Sequence, residues 1–210
     1  MDATNPGFRM VNQNVLANAP CSVGILVDKG LNGSTRLAAN QVTHHIAVIF
    51  FGGPDDREAL SYAWRMSDHP ETSLTILHFI SGDDDPAEQS HGNPNNPRVL
   101  TVETDDSMET QLDEELINYF RMRTMNDESI VYNEKLVNNG EETVAAIRLM
   151  DNIHDLFIVE RGQGMISTLT AGLSDWREYP ELGAVGDLLA SSDFAAMVSV
   201  LVVQQYISLA

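Results

Sequence analysis

The chain closes in the same way twice, and that restricts how it can be divided. Residues 11–28 (VNQNVLANAPCSVGILVD) carry an apolar helical stretch followed by a short apolar strand, and residues 186–204 (GDLLASSDFAAMVSVLVVQ) repeat the order. Self-similarity of this kind sets architecture and is weighed before local propensity. A unit that closes a domain should not open one. The repeat therefore predicts a C-terminal remnant of a preceding lobe plus a linker over residues 1–42, and a complete related lobe over residues 43–210. Residues 30–40 (GLNGSTRLAAN) have the Gly, Ser and Asn content of a linker.

Beyond the linker, HIAVIFF at 45–51 is a nearly continuous apolar run, as expected of a strand buried on both faces. Gly52-Gly53-Pro54 then turns the chain, and Asp55 with Glu58 has the spacing of a capping pair. The helix that follows, to about residue 68, carries Ala59, Leu60, Ala63 and Trp64 on one face. Further strands are predicted over 73–80, 130–137, 155–159 and 199–204, with a short one over 99–102. A helix over about 105–125 is acidic early and basic late, which suits the helix dipole; Leu112, Leu116, Ile117 and Phe120 form its apolar face. A second opens at 139 with Val144, Ala145, Ile147 and Leu149, and a third spans 181–192. Residues 81–98 are expected to form a mobile acidic loop, and 161–180 an irregular one. Strands alternating with helices predict an α/β, doubly wound, mainly parallel five-stranded sheet.

The net charge of −19 is uneven. Residues 1–43 are nearly balanced, whereas eleven acids face only Arg98 between 81 and 118. Such a surface repels phosphate backbones and anionic headgroups, so nucleic-acid binding and direct membrane insertion are not expected. No apolar run reaches the roughly 18 residues of a membrane helix. The single cysteine, Cys21, falls in an apolar strand and has no internal partner, which fits a reducing, cytosolic setting.

Three segments carry a resemblance. Residues 50–70 (FFGGPDDREALSYAWRMSDHP), 172–194 (GLSDWREYPELGAVGDLLASSDF) and 12–31 (NQNVLANAPCSVGILVDKGL) resemble the cytosolic C-terminal tail of plant CHX-type monovalent cation/proton antiporters. In that family the tail follows the membrane helices that perform the exchange, and it comprises two lobes similar to universal stress proteins. The resemblance implies a universal-stress-protein-like fold. It also implies that residues 23–27 and 200–203 pair antiparallel, joining the remnant to the sheet edge, which would otherwise be an exposed sticky strand. Its partners would be the membrane antiporter domain and the adjoining lobe, with a homodimer as a further expectation.

Many universal stress proteins hold ATP at the carboxyl ends of their strands, through an Asp after the first strand and a Gly-rich loop ending in Gly-Ser or Gly-Thr. Backbone amides at a tight turn and a helix N-terminus suit phosphate, and open α/β sheets place ligands there. The positions a degenerate nucleotide crevice would use are Gly52, Gly53, Gly162, Gly164 and Gly183. Phe51 and Gly52 stand where the Asp is expected, Glu160 brings negative charge beside the phosphate position, and Gly183-Ala184 lacks the closing hydroxyl. Arg161 is available to offset Glu160. A structural turn is the expectation, with no cofactor, and ATP or AMP as the alternative.

Other candidates point to no chemistry. His44 and His45 project to opposite strand faces, and His78 and His154 are expected as satisfied core or edge histidines. Cys21 has no neighbouring base, and Asp83-Asp84-Asp85 lacks calcium-loop spacing. The resulting expectation is a non-enzymatic cytosolic regulatory domain of a monovalent cation (K+)/proton antiporter, serving cation and pH homeostasis and unable to transport alone. The alternatives are a free-standing nucleotide-binding stress protein and an acidic protein-interaction module.

Overall fold

The apolar run after the linker becomes the central strand of a six-stranded sheet. The structure, a computed structural model, describes residues 6–31, 44–82, 103–150, 153–162, 167–173, 178–191, 194 and 198–206. Its elements are α1 (Pro6–Asn18), β1 (Val23–Val27), β2 (His44–Phe50), α2 (Pro54–Ser67), β3 (Thr72–Ser81), α3 (Glu103–Thr124), β4 (Ile130–Val137), α4 (Gly140–Arg148), β5 (Leu156–Glu160), α5 (Gly183–Ala190) and β6 (Ser199–Gln204). Short 3-10 turns occupy Thr168–Thr170 and Pro180–Leu182. The strand order is β1-β6-β5-β2-β3-β4. Strands β2 to β6 are mutually parallel, and β1 alone runs antiparallel, beside β6. The predicted fold class and the edge pairing are both present.

Strand β2 is apolar from Ile46 onward because each of its faces meets a separate core. Ile46, Val48 and Phe50 point toward α2 and α3, packing with Leu60, Leu74, Ile76, Phe120 and Ile158. Ala47 and Ile49 point the other way, with Phe79, Ile147, Phe157, Leu189 and Val202. Period-2 alternation thus feeds two layers. Each fully buried side chain of this size contributes about 1.5–3 kcal/mol relative to exposure.

The β1–β6 ladder runs from Val23 opposite Gln204 to Val27 opposite Val200. Side chains reinforce it. The Lys29 ammonium donates to the Leu189 carbonyl at 2.9 Å, and the Lys29 backbone N–H donates to Ser199 Oγ at 2.9 Å. Gln204 Nε2 donates to the Leu16 carbonyl at 3.0 Å, fastening α1 to the same edge.

Several local expectations are corrected. Asp55 does not cap α2: Gly53 is the N-cap, without a side-chain bond, and Pro54 starts the helix. Asp55 Oδ1 instead accepts the Gln205 N–H at 2.7 Å. Cys21 precedes β1 and is exposed. Leu112 and Leu149 are exposed; α3 buries Ile117 and Phe120, and α4, capped by the Asn139 side chain that accepts the Glu142 N–H, buries Ala146 and Ile147. The last helix begins at Gly183 after a 3-10 turn. The 99–102 strand, the acidic loop beyond residue 82, Asp83-Asp84-Asp85 and most of the linker lie outside the described residues.

Candidate functional site

The order in which strands are added to the sheet reverses between β2 and β5. From β2 the chain moves to β3 and β4 on one side, while β5 and β6 lie on the other. In open α/β sheets the crevice outside the carboxyl ends at such a switch point is where ligands bind. Gly52 and Gly53 follow β2 there, and Glu160, Arg161 and Gly162 close β5.

Of the predicted glycines, Gly52, Gly53, Gly162 and Gly183 lie at this end of the sheet. Gly52, Gly53, Gly162 and Gly183 all have positive φ, at 115°, 97°, 66° and 74°. Gly164 lies outside the described residues. At Gly183 a Cβ would stand 1.9 Å from the Arg161 carbonyl oxygen, so glycine lets two backbone segments cross. At Gly52 a Cβ would stand 2.8 Å from Asp113 Oδ2.

The turn amides already have side-chain acceptors. Asp56 Oδ2 accepts the N–H groups of Phe51 at 2.6 Å and Gly52 at 3.0 Å. Asp113 Oδ2, from α3, accepts the Gly53 N–H at 2.8 Å. Three successive amides of the kind that cradle phosphate elsewhere are thus bonded to the protein's own carboxylates. Arg57 clamps Asp113 and Glu109 through its two terminal nitrogens. Burial works against the Arg57 charge, but those two carboxylates outweigh it and raise its pKa.

The carboxyl groups crowd one another. Asp56 is fully buried, and its Oδ1 has no hydrogen-bond partner. Burial first, then the charge of Glu160, pushes Asp56 well above the usual carboxylate range, against the pull of the Phe51 and Gly52 amides. Glu160 is pushed up to about 8 by burial, with Asp55 and Asp113 adding to the effect. Asp113 is also raised, mainly by burial, despite Gly53 and Arg57. The expected offset from Arg161 is not made. Its guanidinium donates to the Glu181 carbonyl at 3.2 Å and to Gln204 Oε1 at 2.9 Å.

Beside this cluster a crevice of about 800 Å3 opens between the carboxyl ends of β2 and β3 and the middle of α3. Phe51, Gly52, His78, Phe79, Asp113, Glu114 and Ser167 are among its lining residues. Phe51 stacks on Phe79 at 5.0 Å between centroids. Of the predicted glycines among the described residues, only Gly52 lines it. His78 is satisfied by the Tyr132 hydroxyl at 2.7 Å, and His154 Nδ1 lies 3.1 Å from the Met150 carbonyl. No group of three or more His, Cys, Asp or Glu among the described residues is arranged to hold a metal ion.

Asp56, Arg57, Glu109 and Asp113 were not singled out from sequence. For Asp56 a signal existed: a carboxylate four residues after Gly52 can fold back onto the amides of its own turn. Asp113 had none, because nothing local distinguishes it from the other acids of α3.

No helix among the described residues is long and apolar enough to cross a membrane. Residues 43–204 match the family model described as plant cation/H(+) antiporter, C-terminal domain, and residues 1–31 match one described as plant cation/H(+) antiporter domain. The chain is 62% identical to Cation/H(+) antiporter 15 of Arabidopsis thaliana over 99% of its own length and 25% of the relative's. It is 46% identical to the chloroplastic Cation/H(+) antiporter 23 of the same plant, over 98% of this chain and 23% of that one. It thus spans about a quarter of these relatives. Among solved structures, a universal stress protein from Archaeoglobus fulgidus aligns with a TM-score of 0.43 and 18% identity, covering 93% of this chain and 54% of that one. With a family model matching most of its residues, the chain belongs to the plant cation/H(+) antiporter family and corresponds to the C-terminal domain of its members.

Proposed function

We propose that this chain is a non-enzymatic regulatory domain of a monovalent cation (K+)/proton antiporter. It would lie on the cytosolic side, bias an attached membrane domain and serve cation and pH homeostasis. Family membership supports the antiporter context. The observation that carries the regulatory reading is the occupancy of the β2–α2 turn. Its amides are bonded to Asp56 and Asp113, in a place where a nucleotide-binding relative of this topology would present them to phosphate. The crevice is accordingly proposed to hold no ATP or AMP through Gly162, Gly164 and Gly183.

Residues 1–42 are proposed to be the end of a preceding lobe whose last strand, β1, joins β6. In a full-length parent the two lobes would then share one sheet edge to edge, and a shift in either would reach the other through the ladder.

The test uses full-length Cation/H(+) antiporter 15 with its corresponding segment either deleted or replaced by this chain. Cation-driven proton exchange is measured in reconstituted vesicles across a pH series. A regulatory domain alters the pH profile on deletion and restores it on replacement. Identical profiles in all three proteins would refute the proposal. Calorimetric titration of this chain with ATP and AMP should show no saturable heat.

A further inference from the structure

The carboxyl cluster at the switch point has a feature that turn-building does not explain. Asp56 needs only Oδ2 to hold the Phe51 and Gly52 amides; its Oδ1 is sealed from water and accepts nothing. An ionised carboxylate is seldom left so, since a buried charge requires a partner for each oxygen. Glu160, at the end of the adjacent strand, brings a second carboxyl to the same place and raises the cost of ionising the first. We infer that Asp56 and Glu160 form a proton-binding pair at the carboxyl ends of β2 and β5, which retains at least one proton at neutral pH and releases it to water as the pH rises.

The groups around the pair determine the direction. From α2 come Asp55, which raises Glu160, and Arg57, which is committed to Glu109 and Asp113. From α3, Asp113 raises both members. From β5 itself, Arg161 points away to Glu181 and Gln204. From β3, His78 is held neutral chiefly by burial. The described ends of β2 and β6 add no charged side chain there. Among the described residues, like charges therefore outnumber the cations that could answer them. Ionisation of the second carboxyl sets the start of α2 against the end of β5 and loads the Phe51–Gly53 turn that Asp56 holds shut.

The sign of the linkage follows. A carboxyl whose proton is favoured in the folded state imposes no penalty below its unfolded pKa, and folding weakens as pH rises toward the folded value. For Glu160 that window runs from its ordinary range to about 8. Its proton affinity is then raised about a thousandfold.

The direct test is a carbon-13 NMR titration of the side-chain carboxyls in the 210-residue chain, with Glu160→Gln and Asp56→Asn alongside. One carboxyl should titrate near pH 8 and vanish in Glu160→Gln. The urea midpoint of the unmodified chain should fall between about pH 5 and 8, and that slope should flatten in Glu160→Gln. If Asp56→Asn does not fold, the Glu160→Gln comparison decides alone. Titration of every carboxyl in the ordinary acidic range, or an unchanged slope in Glu160→Gln, would overturn the inference. Use of this proton as an input to transport rests on the regulatory proposal. Glu160→Gln in the vesicle chimera tests that step separately: an unshifted pH profile beside a positive titration refutes the regulatory use and leaves the proton site standing.

Discussion

Replacing Gly183 by alanine separates a packing glycine from a phosphate-binding one. Gly183 has φ 74° and ψ −178°, a region essentially confined to glycine, and holding another residue there costs about 1–3 kcal/mol. The new Cβ would also lie 1.9 Å from the Arg161 carbonyl oxygen and 2.8 Å from its carbon. Both atoms are backbone, so no side chain can turn aside. Relief requires moving the start of α5 or the Arg161 segment. That segment is pinned by its N–H to the Val203 carbonyl at 2.8 Å and by its guanidinium to the Glu181 carbonyl. Overpacking of this kind adds about 1–3 kcal/mol. The two contributions give about 2–6 kcal/mol, a large part of the ~5–15 kcal/mol that holds a typical domain. Gly172→Ala is the matched control, with φ 84° and open space around its Cβ, and it should show the backbone contribution alone. Urea unfolding followed by circular dichroism measures both. A Gly183→Ala midpoint no lower than that of Gly172→Ala would refute the packing argument.

Removing residues 1–31 uncovers the β6 edge, where Val200, Val202 and Val203 are buried, and the shortened chain should self-associate in sedimentation velocity; a monomer of unchanged stability would contradict the edge role. Asn139→Ala deletes the side-chain acceptor for the Glu142 N–H and should cost about 1 kcal/mol in urea unfolding. Phe120→Ala empties a fully buried site between α3 and the sheet, with an expected cost of about 3–5 kcal/mol. His78 should titrate below its ordinary value in proton NMR because burial disfavours its charged form. Its contribution to stability is present above the unfolded pKa and is lost as the pH falls through the folded one.

The sheet was legible because its signal is redundant. The central parallel strands are short apolar runs bounded by turn residues, β4 and β6 emerge with the ends read from sequence, and the place of β1 beside β6 was expected from the family resemblance. Helix faces were less legible. Leu149 fits an apolar period on paper, but it falls at the C-cap of α4 and is exposed, while Ala146 and Ile147 face inward. Asp55 and Glu58 had the spacing of a capping pair, yet tertiary demand from Gln205 took the Asp55 carboxylate. The crevice was half legible. Its glycines and Glu160 stood out locally, whereas the carboxylate that answers Gly53 arrives from α3, sixty residues away. Long-range electrostatic pairing leaves no mark on local sequence.

Charge, more than shape, decides what this crevice admits. Space exists beside the turn, about 800 Å3 of it. A phosphate that sought the Phe51–Gly53 amides would have to displace Asp56 and Asp113 from bonds already formed. Exchanging a carboxyl oxygen for a phosphate oxygen at those amides gains little, since even a hydrogen bond to a charged group is worth only about 1.5–3 kcal/mol. The displaced carboxylates would stay nearby. A unit charge about 5 Å from another carries a repulsion of about 3 kcal/mol at an effective dielectric of about 20. Glu160, beside an Arg161 that is turned away, adds such a charge only once the pH has risen far enough to remove its proton. Arg57 cannot relieve it without releasing Glu109 and Asp113. The repulsion exceeds the gain, which is the physical ground for proposing that no nucleotide phosphate is held here. A proton meets the opposite balance: it removes a charge from the cluster and leaves every turn amide bonded.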